Sequence, residues 1–179
     1  MTIRKRMTGA AMTAVLILAG VASAQVTKPS VAGVTNFAKL ETTIACAGAT
    51  TPAGVAEVKK LGYKAVINLR QANEAGADVE AEAAAAKEVG IVYVHLPVNS
   101  ASPDPALVEK FLTAVGDPAN QPVFVHCASG NRAAAFWMIK RLVVDHWDVD
   151  RASTEAASLG LTNSALKTFA ADYAMAHAK

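Results

Sequence analysis

Pro122-Val-Phe-Val-His126-Cys127-Ala128-Ser129-Gly130-Asn131-Arg132 is the stretch around which this 179-residue chain is organised. Val123 to Val125, β-branched and aromatic, read as a buried strand, and Arg132 opens an apolar helical run from Ala133 to Val144. Cys127 to Asn131 therefore form a strand-to-helix loop. Such a loop turns successive backbone N–H groups toward one point at a helix N-terminus, where a tetrahedral anion is well held. A thiol facing those amides, the helix dipole and the Arg132 guanidinium ionises more readily than a free cysteine, because all three favour the thiolate. Gly130 lets the backbone turn without a Cβ, and Arg132 can grip two oxygens of a phosphate-like group. His126 is placed to tune the thiol by hydrogen bonding. The plainer reading of the same residues is a buried structural cysteine followed by a Ser-Gly-Asn helix cap.

At the N-terminus, Arg4-Lys5-Arg6, the short apolar stretch from Gly9 to Val21 and Ala22-Ser23-Ala24 compose a secretory signal peptide, residues 1–24. The apolar run is short for a membrane span. Export makes the mature protein periplasmic or secreted. The signal holds three of the 17 basic groups and none of the 15 acidic ones, so the mature chain carries 14 against 15. Without a basic field, neither nucleic acid nor a membrane surface is expected as a partner after signal cleavage. No metal site is expected from four scattered histidines and two cysteines, and no cofactor fingerprint is present.

Residues 25–35 read as a polar lead-in segment of low order, and residues 36–179 as one domain. Phe37 to Cys46 suggest an edge strand or strand pair. Thr50-Thr51-Pro52 caps a helix reaching about Leu61. Lys64 to Leu69 is a buried strand, Ala75 to Val89 a helix closed by Gly90, and Ile91 to Leu96 a strand. A helix follows from Leu107 to Val115, and after the central loop and its helix two more cover Ala152 to Leu159 and Ala165 to Met175. Trp137 and Trp147 are expected in the core. Alternating strands and helices define an α/β fold with a mainly parallel central sheet flanked by helices. Arg70 and Glu74 follow a strand whose carboxyl end shares a face with the Cys127 loop. Arg70 either helps hold an anion or pairs with Glu74 and braces the loop, and His95 reads as a satisfied structural residue.

His126-Cys127-Ala-Ser-Gly130-Asn-Arg132 resembles the signature loop of cysteine-dependent phosphatases, His-Cys-x-x-Gly-x-x-Arg. It is one residue shorter, and Ala133 stands where many of those enzymes carry Ser or Thr. A loop of the form Cys-x4-Arg also resembles that of many rhodanese sulfurtransferases. Gly62-Tyr-Lys-Ala-Val-Ile-Asn68-Leu-Arg70 with Glu74, Gly90-Ile-Val-Tyr-Val-His95-Leu-Pro97-Val and then the Cys127 loop are similar in order to the bacterial dual-specificity-like, protein tyrosine phosphatase-like family. More narrowly they resemble the phosphatase-like domain found with β-lactamase-like hydrolases, whose members have been labelled both phosphatase and sulfurtransferase.

The resemblance implies a cysteine phosphatase-like fold and a phosphorylated substrate, protein or small molecule. Cys127 is then the nucleophile, Ala128 to Arg132 bind phosphate, and Asp104 on the Pro97–Pro105 loop is the general acid. Asp104 also precedes a proline and suits a helix N-cap. The family's passage of the segment before the first helix close to the signature loop makes Cys46 a candidate redox partner of Cys127, with a lone buried cysteine as the plainer reading. Three activities follow: a phosphatase with a thiophosphoryl intermediate, a sulfurtransferase carrying a persulfide on Cys127, or an anion-binding scaffold without turnover.

Overall fold

The computed structural model describes residues 25–41 and 43–177, so the signal-peptide reading lies outside the described residues. Its centre is a six-stranded sheet in the order β1-β2-β3-β6-β4-β5. These are β1 (Val26–Thr27), β2 (Ala38–Leu40), β3 (Ile44–Ala47), β4 (Ala65–Asn68), β5 (Val92–His95) and β6 (Val123–His126). Strands β3, β6, β4 and β5 run parallel, and β1 and β2 extend the β3 side antiparallel. The fold is thus α/β with a mainly parallel sheet, as the alternation of elements implies.

Strand alternation divides the apolar residues between two cores. Val123, Val125 and Ile67 face one side together with α3 (Pro105–Gly116), α4 (Asn131–Val143), α5 (Val149–Ser158) and α6 (Ser164–Ala176). Phe124, Val66 and Ala45 face the other, under α1 (Pro52–Lys60) and α2 (Val79–Val89). β6 lies between β3 and β4, buried on both faces, so the loop leaving its C-terminal end is mounted on the most rigid part of the sheet.

Several helix starts move to where a side chain caps them. α2 begins at Val79 rather than Ala75 because Asp78 accepts the Ala81 N–H, and the residues before it form a turn around Arg70. α5 begins at Val149 rather than Ala152 because Asp148 accepts the Arg151 N–H. Trp137 is buried as expected and donates its indole N–H to Glu155 at 2.7 Å. Trp147 is only half-buried, sandwiched between the Arg141 and Arg151 guanidinium groups instead of filling the core.

The lead-in segment departs most from expectation. Far from being of low order, it pairs as β1 with β2, bridges Val31 to Val34, and bonds through its backbone to the chain around α1. Thr51 N–H donates to Gly33 O at 2.8 Å, Gly48 N–H to Thr35 O at 2.8 Å, and Thr35 N–H to Ala49 O at 2.9 Å. Backbone bonds of this kind ask for no apolar period, so a hydropathy pattern does not reveal them. Gly33 takes φ +73°, and a Cβ on Gly54 would sit 2.5 Å from the Gly33 carbonyl oxygen. Alanine inside a helix ordinarily gains about 0.5–1 kcal/mol over glycine. Here the clash is with backbone, and overpacking costs about 1–3 kcal/mol. Gly54→Ala is therefore expected to destabilise the fold by about 1–2 kcal/mol in urea titration. An unchanged or raised midpoint would show that the two backbones separate freely.

Candidate active site

Cys127 to Gly130 span the gap between β6 and α4. Their carbonyl oxygens are turned outward: Ala128 O accepts the Ala49 N–H at 3.0 Å, and Ser129 O accepts from Asn36 Nδ2 at 3.2 Å. In a trans peptide the C=O and the following N–H point in opposite directions. The N–H groups of Ser129 and Gly130 are therefore turned inward, and the Gly130 N–H donates to Cys127 Sγ at 3.1 Å. Gly130 adopts φ +100°, a conformation that other residues enter only with strain.

The helix beginning here is unlike its neighbours. α1, α2, α3, α5 and α6 each have a side-chain N-cap, from Thr51, Asp78, Asp104, Asp148 and Asn163. α4 has Gly130 at that position and no side-chain cap. Its first N–H groups are left for another acceptor, beside a buried sulfur. Asn131 uses its side chain elsewhere: Oδ1 accepts the N–H groups of Thr162 at 2.7 Å and Asn163 at 2.8 Å, tying the loop to the α5–α6 turn.

Arg132 lies across the sheet end from its own helix. Nη1 donates to Leu69 O at 3.0 Å, to Val98 O at 2.8 Å and to Glu74 Oε1, and Nη2 donates to Glu74 Oε2 at 2.7 Å. Burial alone would lower its pKa, but pairing with Glu74 and the nearness of the Cys127 sulfur outweigh that and hold the guanidinium charged. For Glu74, burial pushes the carboxyl up, while Arg132, the Gln71 N–H and Arg70 more than reverse it, to about 2. Arg70 is the brace rather than an anion ligand. Its guanidinium reaches Ala75 O at 2.6 Å, Gly76 O at 2.9 Å and Glu74 at 3.4 Å. His95 Nε2 donates to Arg70 O at 2.7 Å, the structural role expected of it.

His126 does not tune the thiol by hydrogen bonding. Strand alternation turns its ring to the opposite face of the sheet, where it is fully buried and stacks on Phe124. There Nε2 lies 3.0 Å from Glu82 Oε2, off the axis of a hydrogen bond. Asn68 and Tyr93 donate to the same oxygen at 2.9 and 3.1 Å. This cluster escaped the sequence reading because Glu82 sits in an Ala-rich helix where a glutamate ordinarily faces water. Asp104 is exposed and Oδ1 accepts the Ala106 N–H at 2.9 Å, so it caps α3. Cys46 is buried in β3, paired in register with Val125. Burial and the nearby Cys127 raise its pKa, and both thiols are free.

A buried thiol at the end of a central parallel strand, with inward amides, an uncapped helix and a tethered arginine, is the arrangement of the cysteine phosphatase fold. The chain belongs to the family of the phosphatase-like domain of beta-lactamase hydrolase-like proteins, which matches residues 36–144. A beta-lactamase hydrolase-like protein from Xylella fastidiosa (strain Temecula1) is 35% identical over 86 residues. That match takes in 46% of this chain and 19% of the Xylella protein, so the chain spans about a fifth of its relative. TpbA of P. aeruginosa is 24% identical with a TM-score of 0.63, covering 88% of this chain and 91% of TpbA. The catalytic core of the PP-IP phosphatase SIW14 from S. cerevisiae is 19% identical with a TM-score of 0.65, covering 79% of this chain and 87% of that core.

Since Glu74 titrates normally near 4.5 and at about 2 when folded, its pairing stabilises the fold above about pH 4.5 and is lost as pH falls toward 2. Glu74→Gln is expected to remove that part of the acid limb in a stability–pH series. At neutral pH it should cost about 1.5–3 kcal/mol, the worth of hydrogen bonds to a charged group. An acid limb identical in the two proteins would show that the pair contributes nothing.

Proposed function

We propose that this protein is a cysteine-dependent phosphatase, of the protein tyrosine or dual-specificity-like kind, that hydrolyses phosphate monoesters. The observation carrying this reading is the Gly130 N–H pointing at Cys127 Sγ at the uncapped start of α4, with Arg132 held alongside by Glu74. A phosphoryl group seated there has its nucleophile, amide donors and a cation within one turn of chain.

In the proposed reaction the Cys127 thiolate attacks phosphorus, and a P–S bond forms as the P–O bond to the leaving group breaks. The inward N–H groups of the loop and Arg132 stabilise the charge on the equatorial oxygens. Asp104, on the loop that begins at the Arg132-holding carbonyl of Val98, gives its proton to the leaving oxygen. Water then attacks phosphorus, passes a proton to Asp104 and expels the thiolate, releasing phosphate. Glu74 is unsuited to the acid's role, because both of its carboxylate oxygens are taken by Arg132. The N-terminal signal reading adds that the reaction takes place in the periplasm or outside the cell.

The test is turnover of the reduced mature protein on p-nitrophenyl phosphate and, separately, on thiosulfate with cyanide. Cys127→Ser is expected to lower phosphate release by at least about a thousandfold. Asp104→Asn preserves the helix cap, since asparagine and aspartate cap alike. A loss of about 100-fold on an alkyl phosphate in that variant reports the proton. Thiocyanate formed without phosphate release would make the protein a sulfurtransferase instead.

A further inference from the structure

Beside the Cys127 loop lies a groove of about 640 Å³ whose floor includes Ser129 and Asn131. One wall is Lys28, Pro29 and Ser30, at the end of β1, and the opposite wall is the α5–α6 turn with Leu159, Gly160 and Thr162. Both walls fall outside residues 36–144, the segment that the family model matches. The groove's position is not accidental to the fold. β1 pairing sets Lys28, the Asn36 side chain ties the segment to Ser129 O, and Asn131 ties the opposite turn to the same loop.

We propose that this groove holds the body of the substrate and that Lys28 selects an aromatic phosphomonoester carrying one further carboxylate, as in a phosphotyrosine flanked by an acidic residue. The inference rests on the phosphatase reading. The groove borders the loop at Ser129 and Asn131, so it is the neighbouring space for a group ester-linked to a phosphate on that loop. The exposed Pro29 and half-buried Val34 give it apolar surface against which a ring can pack. Lys28 is the one cation lining it, no acidic side chain does, and among the described residues Lys28 takes part in no ion pair. One cation on a partly apolar wall matches one additional negative charge. A densely phosphorylated ring would bring many charges to a site with a single lysine and leave the apolar wall unused.

An exposed ion pair is weak, so the expected discrimination is modest, about two- to fivefold, and fades in salt. The experiment compares kcat/KM for three phosphotyrosyl pentapeptides that differ only in Glu, Gln or Lys next to the phosphotyrosine. The Glu peptide is expected to exceed the Gln peptide by about two- to fivefold at low salt. That ratio should fall to about one in Lys28→Ala and drop below one in Lys28→Glu. Lys64→Ala, at the far end of β4, controls for net charge and should keep the ratio. A ratio untouched by either Lys28 substitution overturns the assignment, as does inhibition by myo-inositol hexakisphosphate at lower concentration than by the Glu peptide. Should none of the peptides turn over, the phosphatase reading fails on its own, and the same ratios are read as Kd values by calorimetry on Cys127→Ser. Equal affinity for all three peptides there would overturn the groove independently.

Discussion

The paired contact between Arg132 and Glu74 is what the rest of the site depends on. It joins the first turn of α4 to the turn after β4, and the same guanidinium takes the carbonyls of Leu69, at the end of β4, and Val98, beyond the end of β5. A guanidinium buried to this degree without partners would cost several kcal/mol. Partners on Nη1 and Nη2 remove that cost in the resting protein, while Nε has none among the described residues. The charge is thus kept aimed at the Cys127 loop before any anion arrives. Arg70 holds the other side of Glu74 and two carbonyls of its turn, so the carboxylate is itself fixed in place.

The second constraint is the uncapped start of α4. A side-chain cap is worth about 0.5–2 kcal/mol, and every other α-helix among the described residues has one. Leaving the cap off the helix that follows Cys127, and bending the chain through Gly130 at φ +100°, concentrates unpaired donors at a single place. The backbone around it is held from outside by Asn36, Ala49 and Thr162, whose bonds to the loop's outer groups keep the inner N–H groups turned in. Preorganised donors of this kind need no rearrangement when charge develops in front of them.

Behind the sheet, Asn68, Tyr93 and Glu82 form a buried polar cluster against the His126 ring. Asn68 also accepts the Arg70 N–H at 2.7 Å, which links the cluster to the turn carrying Glu74. The turn that carries Arg70 and Glu74 is therefore bonded to a buried cluster against which the His126 ring of β6 packs. That gives His126 a part in holding β6 rather than in acting on the thiol.

Much of this was legible in the residue order. The α/β alternation, the strand-loop-helix at Cys127, the proline-headed helices and the Asp104 cap all rest on local chemistry: periodicity, capping side chains and the demands of Gly and Pro on the backbone. Such signals reach a few residues along the chain and are complete within it. Other features depended on distance in space instead. What Glu82 is buried against and what holds Arg132 are set by the order of strands in the sheet, which brings together residues 58 and 63 positions apart. The polar segment before residue 36 becomes a wall of the site through backbone bonds and the Gly33–Gly54 approach, neither of which leaves an apolar pattern. The sequence by itself determined the fold and the strand-to-helix loop at Cys127, because those follow from short-range rules. Tertiary structure decided the partners of that loop, because a carbonyl or carboxylate becomes a partner only once the strands are laid side by side.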